Sequence, residues 1–535
     1  MKKSILASSI AAAMFGLGAV GAHAEMVKST NGAGDMLLVP YFSAQAENAT
    51  LLSITNTDTQ SGKAVKVRFR GAANSDDIFD FQVFLSPMDV WTANVSKGAD
   101  GKARLFTNDA SCTKPAASVL NSTPFITSRL DQRLTGDALA NGTREGYIEI
   151  IGMADIPPHR KSGSDFAAWT GLRGTPAADP QVVAGTKTVE DNPLWTAIKH
   201  VNGVAPCTGT AWTDLDKSTS INLSKLAAGT GPALGLTPIS GGLVANWSIV
   251  NTVNAAAWGG EATALVSNAA TRDFKVPNGP INIIYAPQIE SSAASHVANW
   301  SADPLFLPTN LSLKLGVGTA PAVNPGFYDL PDLSTALDVP LSAAAAAAQV
   351  NAIATAITPG NVMNEFAVES AINGSTDWVF SMPSRRYSVA MAYNKITTTD
   401  DGRRWNNLLN GTNGTPSNVF QLSNTSLENG LICVNSVKPT PYDREERTPV
   451  SSQAVVVSPS TVGGGTKLCG ETSVMSFNNG TGASGALKAS VAVTAVDVTY
   501  QAGWATMAMP YPSIGGAFQR ASFGAQGFGL FRNNR

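Results

Sequence analysis

Ala64-Val65-Lys66-Val67-Arg68-Phe69-Arg70 alternates strictly, with Val65, Val67 and Phe69 apolar and Lys66, Arg68 and Arg70 cationic. Successive side chains of a strand point to opposite faces. The heptapeptide therefore predicts a strand with one face in a core and the other in water, as in an antiparallel sheet. Phe79-Asp80-Phe81-Gln82-Val83-Phe84-Leu85 repeats the pattern, with Phe79, Phe81, Val83 and Leu85 directed inward. Gly71 to Asp77, between the two, is a polar turn segment of hairpin length. Met36 to Phe42 and Leu51 to Asn56 upstream, and Asp89 to Val95 downstream, read as further strands. The predicted fold class is mainly β: antiparallel β-sandwich-like domains with long irregular loops and one short Ala-rich helix.

Composition divides the chain further. Residues 25–156 form the N-terminal β-sandwich region. Residues 157–359, rich in Gly, Pro, Ser and Thr, form a loop-rich insert or middle domain, with strand-like runs at Gly242 to Val250, Glu261 to Val266 and Ile281 to Tyr285. Ser342 to Ile357 predicts the helix: Ser342 caps it, a run of alanines favours it, and Pro359-Gly360 ends it. Residues 360–535 return to strands, at Asp377 to Met382, Tyr387 to Tyr393 and Leu487 to Met509. In the last of these the alternation shifts phase between Val493 and Val496, which predicts a bulge. Gly515 to Arg535 reads as a closing strand or a tail.

The first residues carry a leader pattern. Lys2 and Lys3 are followed by an uncharged stretch from Ser4 to about Gly21, then by Ala22-His23-Ala24. A signal peptide over residues 1–24 is expected, with Glu25 as the mature N-terminus. The expected destination is the cell surface or the extracellular space, the periplasm included, with no transmembrane segment in the mature chain. Charged residues make up 14% of the sequence, and the formal net charge is −2, or −4 once Lys2 and Lys3 leave with the leader. So neutral a chain has no electrostatic footprint for nucleic acid or an anionic membrane. It also lacks the self-repulsion that keeps copies apart.

Cys112, Cys207, Cys433 and Cys469 are the cysteines. An even number in an exported chain predicts two disulfides, and three pairings are open. Cys112–Cys207 and Cys433–Cys469 are favoured, because each keeps a bridge within one half of the chain. Zinc ligation is disfavoured: no pair has CxxC spacing or a histidine close by.

The blocks AVKVRFR and FDFQVFLSPMDVWTANV, within Asn56 to Val95, together with TDWVFSMPSRRY at Thr376 to Tyr387, resemble a family of Gram-negative secreted proteins usually described as cell surface proteins. The resemblance implies an envelope or extracellular location and a β-rich fold, and it implies no reaction.

No catalytic constellation is legible. After the leader, the histidines are His159, His200 and His296. Ser240, in Pro238-Ile239-Ser240-Gly241-Gly242, lacks the glycine that a nucleophile elbow requires before it. Gly480-Thr481-Gly482-Ala483-Ser484-Gly485 matches GxGxxG but leads into a β run rather than a helix, and Gly463-Gly464-Gly465 lacks P-loop spacing. No cofactor is implied. Structural Ca²⁺ is the one ion the loops suit, with Asp76-Asp77, Asp329 with Asp332, and Asp400-Asp401 as candidate ligands, none in an EF-hand or nonapeptide pattern. Trp169, Trp195, Trp212, Trp247, Trp258 and Trp300 lie in the middle region, where they either bind sugar or protein surfaces or fill small cores under loops; the second use is the commoner.

The leading functional expectation is a non-catalytic structural protein of the cell surface, an array or filament subunit that self-associates or joins another surface component. A secreted adhesin or glycan-binding module is the second, and a hydrolase with an unread site the third. An outer-membrane barrel ranks last, because ten-residue alternating segments do not recur through the middle.

Overall fold

The structure is a computed structural model of the chain. It describes residues 26–161, 189–217, 234–267, 351–405, 419–445, 466–477 and 483–534, less a few positions inside these spans, together with 221–222, 284–285 and 288.

The N-terminal stretch supplies β1 (Met26–Lys28), β2 (Met36–Ser43), β3 (Asn48–Asn56), β4 (Gly62–Gly71), β5 (Asp77–Leu85), β6 (Val90–Lys97), β7 (Ala103–Phe106), β8 (Cys112–Lys114) and β9 (Glu145–Ile156). Two short helices, Ala117–Ser122 and Gly136–Asn141, fall between β8 and β9. In the middle region, β10 (His159–Lys161) pairs with β11 (Val189–Asp191), and β12 (Ile221–Asn222) pairs with β16 (Ile284–Tyr285). Between them come β13 (Leu243–Asn251), β14 (Ala256–Glu261) and β15 (Thr263–Ser267).

Two antiparallel sheets face each other. The first has the order β1-β15-β2-β9-β4-β5-β8 and the second β14-β13-β3-β6-β7. The N-terminal sandwich thus completes its sheets with strands from 243–267. Val65, Val67 and Phe69 of β4 and Phe79, Phe81, Val83 and Leu85 of β5 meet Leu52, Ile54, Trp91, Val95, Trp247 and Trp258 of the second sheet in one core. These are the positions that the alternation assigns inward.

The opposite face of β4 departs from the expectation. Lys66, Arg68 and Arg70 are at most 2% exposed, so the cationic face is not wet. The carboxylates that meet these cations are Asp80, Glu149 and Asp77 of the same sheet, and the C-terminal half lies over part of the face, where Arg386 joins Arg68 and Arg70 on Glu149.

That half contributes β17 (Gly360–Ala367), β18 (Ser375–Ser381), β19 (Val389–Met391), β20 (Arg403–Trp405), β21 (Thr425–Glu428), β22 (Leu431–Ser436), β23 (Thr440–Tyr442), β24 (Thr466–Cys469), β25 (Thr472–Phe477), β26 (Val493–Val496), β27 (Ala502–Met509), β28 (Ile514–Phe523) and β29 (Gln526–Asn533). They assemble as β17-β27-β23, β26-β25-β18-β28-β29, β21-β22-β24 and β19-β20. The five-stranded sheet works on both faces. Trp378, Phe380 and Phe477 enter a C-terminal core with Phe366, Val434 and Met507. Val379, Val474 and Phe518 point the other way, into the N-terminal core, where the Phe518 ring lies 6.0 Å from Tyr41 and 5.8 Å from Trp247.

Leu487 to Met509 is not a single bulged run. Residues 483–492 form no strand, and β26 and β27 follow separately. Of the stretch from Gly515 onward, the described residues close the sheet as β28 and β29, paired antiparallel. At Gly515 φ is +150°, and a Cβ there would fall 1.9 Å from the Val379 carbonyl oxygen, so glycine lets β28 approach β18. Residues 351–357 are helical, with Ile353 and Ile357 buried, and the Ser342 cap of the expected helix lies outside the described residues.

Candidate functional site

Among the described residues, a dense set of ionisable side chains lies where the two halves meet. Glu149, on β9, is fully buried; its carboxylate lies 3.3 Å from Arg70 Nε, 4.0 Å from Arg68 Nη1 and 2.7 Å from Arg386 Nη2. Arg385, the residue before, pairs with buried Glu471 at 2.5 Å. Burial holds the Glu471 carboxyl above its ordinary range, against the pull of Arg385 and Arg386. Beside them the Tyr393 hydroxyl donates to Asp76 Oδ2 at 2.8 Å, and Asn74 Nδ2 donates to the Tyr393 oxygen at 3.0 Å. Burial pushes Asp76 up to about 7, opposed by the Tyr393 hydrogen bond and by Arg70. Four guanidiniums from AVKVRFR and SRRY, which lie more than three hundred residues apart in sequence, thus share carboxylates from both halves.

The Gly-rich match ends in a second junction. Ser484 Oγ donates to Asp377 Oδ2 at 2.6 Å, and the amides of Gly485, Ala486 and Leu487 donate to the same buried carboxylate at 3.2, 2.9 and 2.7 Å. Further along, the amides of Ser490 and Val491 donate to Glu145 Oε1 at 3.0 and 2.6 Å, and the Tyr41 hydroxyl donates to Oε2 at 2.5 Å. The described part of this loop wraps the protein's own carboxylates, one from each half, with the kind of amide array that elsewhere holds phosphate. Gly480 to Gly482 and Gly463 to Gly465 lie outside the described residues.

The remaining candidates fall apart spatially. His200 Nδ1 lies 3.2 Å from Ser86 Oγ and 3.6 Å from Asp89 Oδ2. A Ser-His-Asp relay divides serine and acid between the two ring nitrogens, whereas here both contacts fall on one. His159 meets the exposed Asp191 at 3.2 Å, and His296 is outside the described residues. Ser240 Oγ donates at 2.5 Å to Asp155, which is already paired with Lys63 at 2.6 Å.

The described carboxylate pairs face cations or backbone amides of their own turns. Asp77 faces Arg129 at 3.5 Å, in the network beside Asp76. Asp400 accepts the Gly402 amide at 2.9 Å, and Asp401 pairs with Arg403 at 2.7 Å, so both serve one turn. Asp329 and Asp332 lie outside the described residues. Glu428, Cys433 and Cys469 are near one another, but the two sulfurs are joined. Disulfides link Cys112 to Cys207 and Cys433 to Cys469, the second across paired positions of β22 and β24. This is the favoured pairing.

Trp212, Trp247 and Trp258 are buried at 8%, 3% and 2% exposure and fill cores, while Trp195 is half-buried and donates to the Gln60 carbonyl at 3.0 Å. Trp169 and Trp300 lie outside the described residues.

The outer face of the second sheet has a different character. Across β13, β3 and β6 the outward residues register in rows: Val250–Ala49, Ser248–Leu51–Asn94, Asn246–Ser53–Thr92 and Val244–Thr55–Val90. None of them is charged. Leu51 and Val90 are each 44% exposed, and Phe106 of β7, opposite Asn94, is 45% exposed. Charge borders the rows as Arg104 on β7, Glu261 on β14 and Asp109, whose carboxylate accepts the Thr92 amide and hydroxyl at 3.0 and 3.3 Å. Leu51, Ser53 and Thr92 line a shallow groove of about 590 Å³.

No family model, curated protein or solved structure matches the chain.

Proposed function

We propose that the chain is an exported, non-catalytic structural protein of the cell surface, whose copies pack together through the outer face of β13, β3 and β6. The observation that carries the reading is the absence of charge from the outward positions of those strands. A solvated sheet in a protein that stays monomeric usually bears charges on its outward positions and edges, which oppose sheet-to-sheet association. Here the face offers Leu51, Val90 and Phe106 among Ser, Thr and Asn. Its outward strand positions carry no ion, and the Asp109 carboxylate beside Thr92 already accepts the Thr92 amide and hydroxyl at 3.0 and 3.3 Å. A second copy is the occupant that fits, because a neutral face repels no identical partner and closed dimers join the same patch twice. The leader pattern and the resemblance to secreted surface proteins support export.

Sedimentation velocity of residues 25–535 tests this. Wild type is expected to associate with rising concentration, and Ser53→Lys with Thr92→Lys to sediment as a monomer throughout. Wild type that is monomeric at every concentration would defeat the reading.

A saccharide-binding role, the second reading, is favoured by one aromatic cleft in the C-terminal half.

A further inference from the structure

The sheet β17-β27-β23 exposes one face, and its central row runs Glu365–Trp504–Tyr442 by direct pairing across the three strands. The Trp504 and Tyr442 rings stack at 4.3 Å with 12° between their planes. Both are half-buried. Tyr442 covers one side of the indole, so the other side turns toward β17, where Met363 is 47% exposed. An open cleft of about 680 Å³ lies there, inside the roughly 300–1,000 Å³ range of small-molecule sites. Arg532 of β29 reaches in to meet Glu365 at 3.3 Å, and Arg444, just beyond β23, pairs with Glu369 at 3.7 Å.

We propose that this cleft binds a neutral saccharide chain, with a pyranose ring laid against Trp504 and its hydroxyls held by Glu365 and Arg532. A sugar ring has an apolar face of C–H groups and a polar rim. It therefore suits an indole flanked by a planar acceptor and a planar donor. The stack against Tyr442 fixes the indole in advance, which lowers the ordering cost of binding. At the cleft Glu365 pairs with Arg532 and Arg444 with Glu369, while Asp443 on its lining accepts the Glu445 amide at 2.9 Å, so the local field does not select an anion. Such a site would attach the protein to surface polysaccharide and goes beyond packing between copies. It is distinct from the middle-region tryptophans, whose described members do not gather on an exposed face.

Native gel electrophoresis of residues 25–535, in gels cast with and without neutral polysaccharide extracted from the surface of the producing cells, tests the proposal. The polysaccharide is expected to retard wild type. Trp504→Ala is expected to weaken retardation at least about tenfold, since it removes the whole stacking surface. Glu365→Gln keeps the sheet and the stack, and is expected to weaken retardation less. Retardation of Trp504→Ala equal to wild type, or equal mobility of wild type in both gels, would overturn the proposal. Sedimentation of the same variant separates the two readings, because its association through the β13-β3-β6 face should be unchanged.

Discussion

Arg386 Nη2 lies 2.7 Å from Glu149 Oε1, with neither side chain exposed, and this contact joins a turn after β18 to the centre of the N-terminal sheet. An isolated buried charge is costly, so each partner makes the other tolerable, and the two halves are held in one register. Arg70 converges on the same carboxylate at 3.3 Å, so Glu149 is the hub.

Removing one partner should therefore be expensive. Arg386→Ala is expected to lower unfolding free energy by about 3–5 kcal/mol, the usual effect of stranding one member of a buried pair. Glu149→Gln should cost at least as much, because it leaves several buried guanidiniums without their shared negative charge. Urea titrations followed by tryptophan fluorescence would measure both. A loss below about 1 kcal/mol for either, the scale of a surface pair, would contradict the hub assignment.

Asp76 sets a pH dependence. Its folded pKa of about 7 lies above the ordinary 3.8, so the native state holds this proton more tightly than the unfolded chain does. The stabilisation from protonation is complete below the unfolded value and is lost as pH rises through about 7. Glu145 and Glu471, also raised by burial, act in the same direction. Asp76→Asn keeps an acceptor for the Tyr393 hydroxyl and should flatten the stability profile between pH 5 and 8. Parallel profiles for wild type and variant would contradict the assignment.

The disulfides close loops of different length, with sequence separations of 95 and 36. Loop closure predicts that opening either costs about 2–4 kcal/mol, and that the longer loop costs about 1 kcal/mol more. Paired Ser variants, Cys112→Ser with Cys207→Ser and Cys433→Ser with Cys469→Ser, compared by thermal unfolding, would check the order.

Alternation made much of the fold legible, because inward residues on β4 and β5 follow from a period of two whatever lies outside. The fate of the outward face did not follow. Lys66, Arg68 and Arg70 would read identically whether water or another sheet covered them, and the group that joins Arg68 and Arg70 on Glu149 is Arg386, remote in sequence. Likewise, the apparent strand before Val493 is pinned as a loop by Asp377 and Glu145, which no local pattern announces.

The candidate surface was half legible. Leu51-Ser53-Thr55 and Val90-Thr92-Asn94 alternate in the sequence as uncharged outward sets, but their alignment into rows needed the register. Trp504 and Tyr442 gave no signal of their own, since only strand pairing brings residues sixty positions apart into a stack.

Electron microscopy of purified residues 25–535, first with Ca²⁺ and then with chelator, tests the structural reading most directly. The reading predicts two-fold pairs joined through the outer face, lost when Ser53→Lys and Thr92→Lys place charge on it; loss on chelation as well would locate calcium at the contacts. Dispersed monomers under every condition would contradict it.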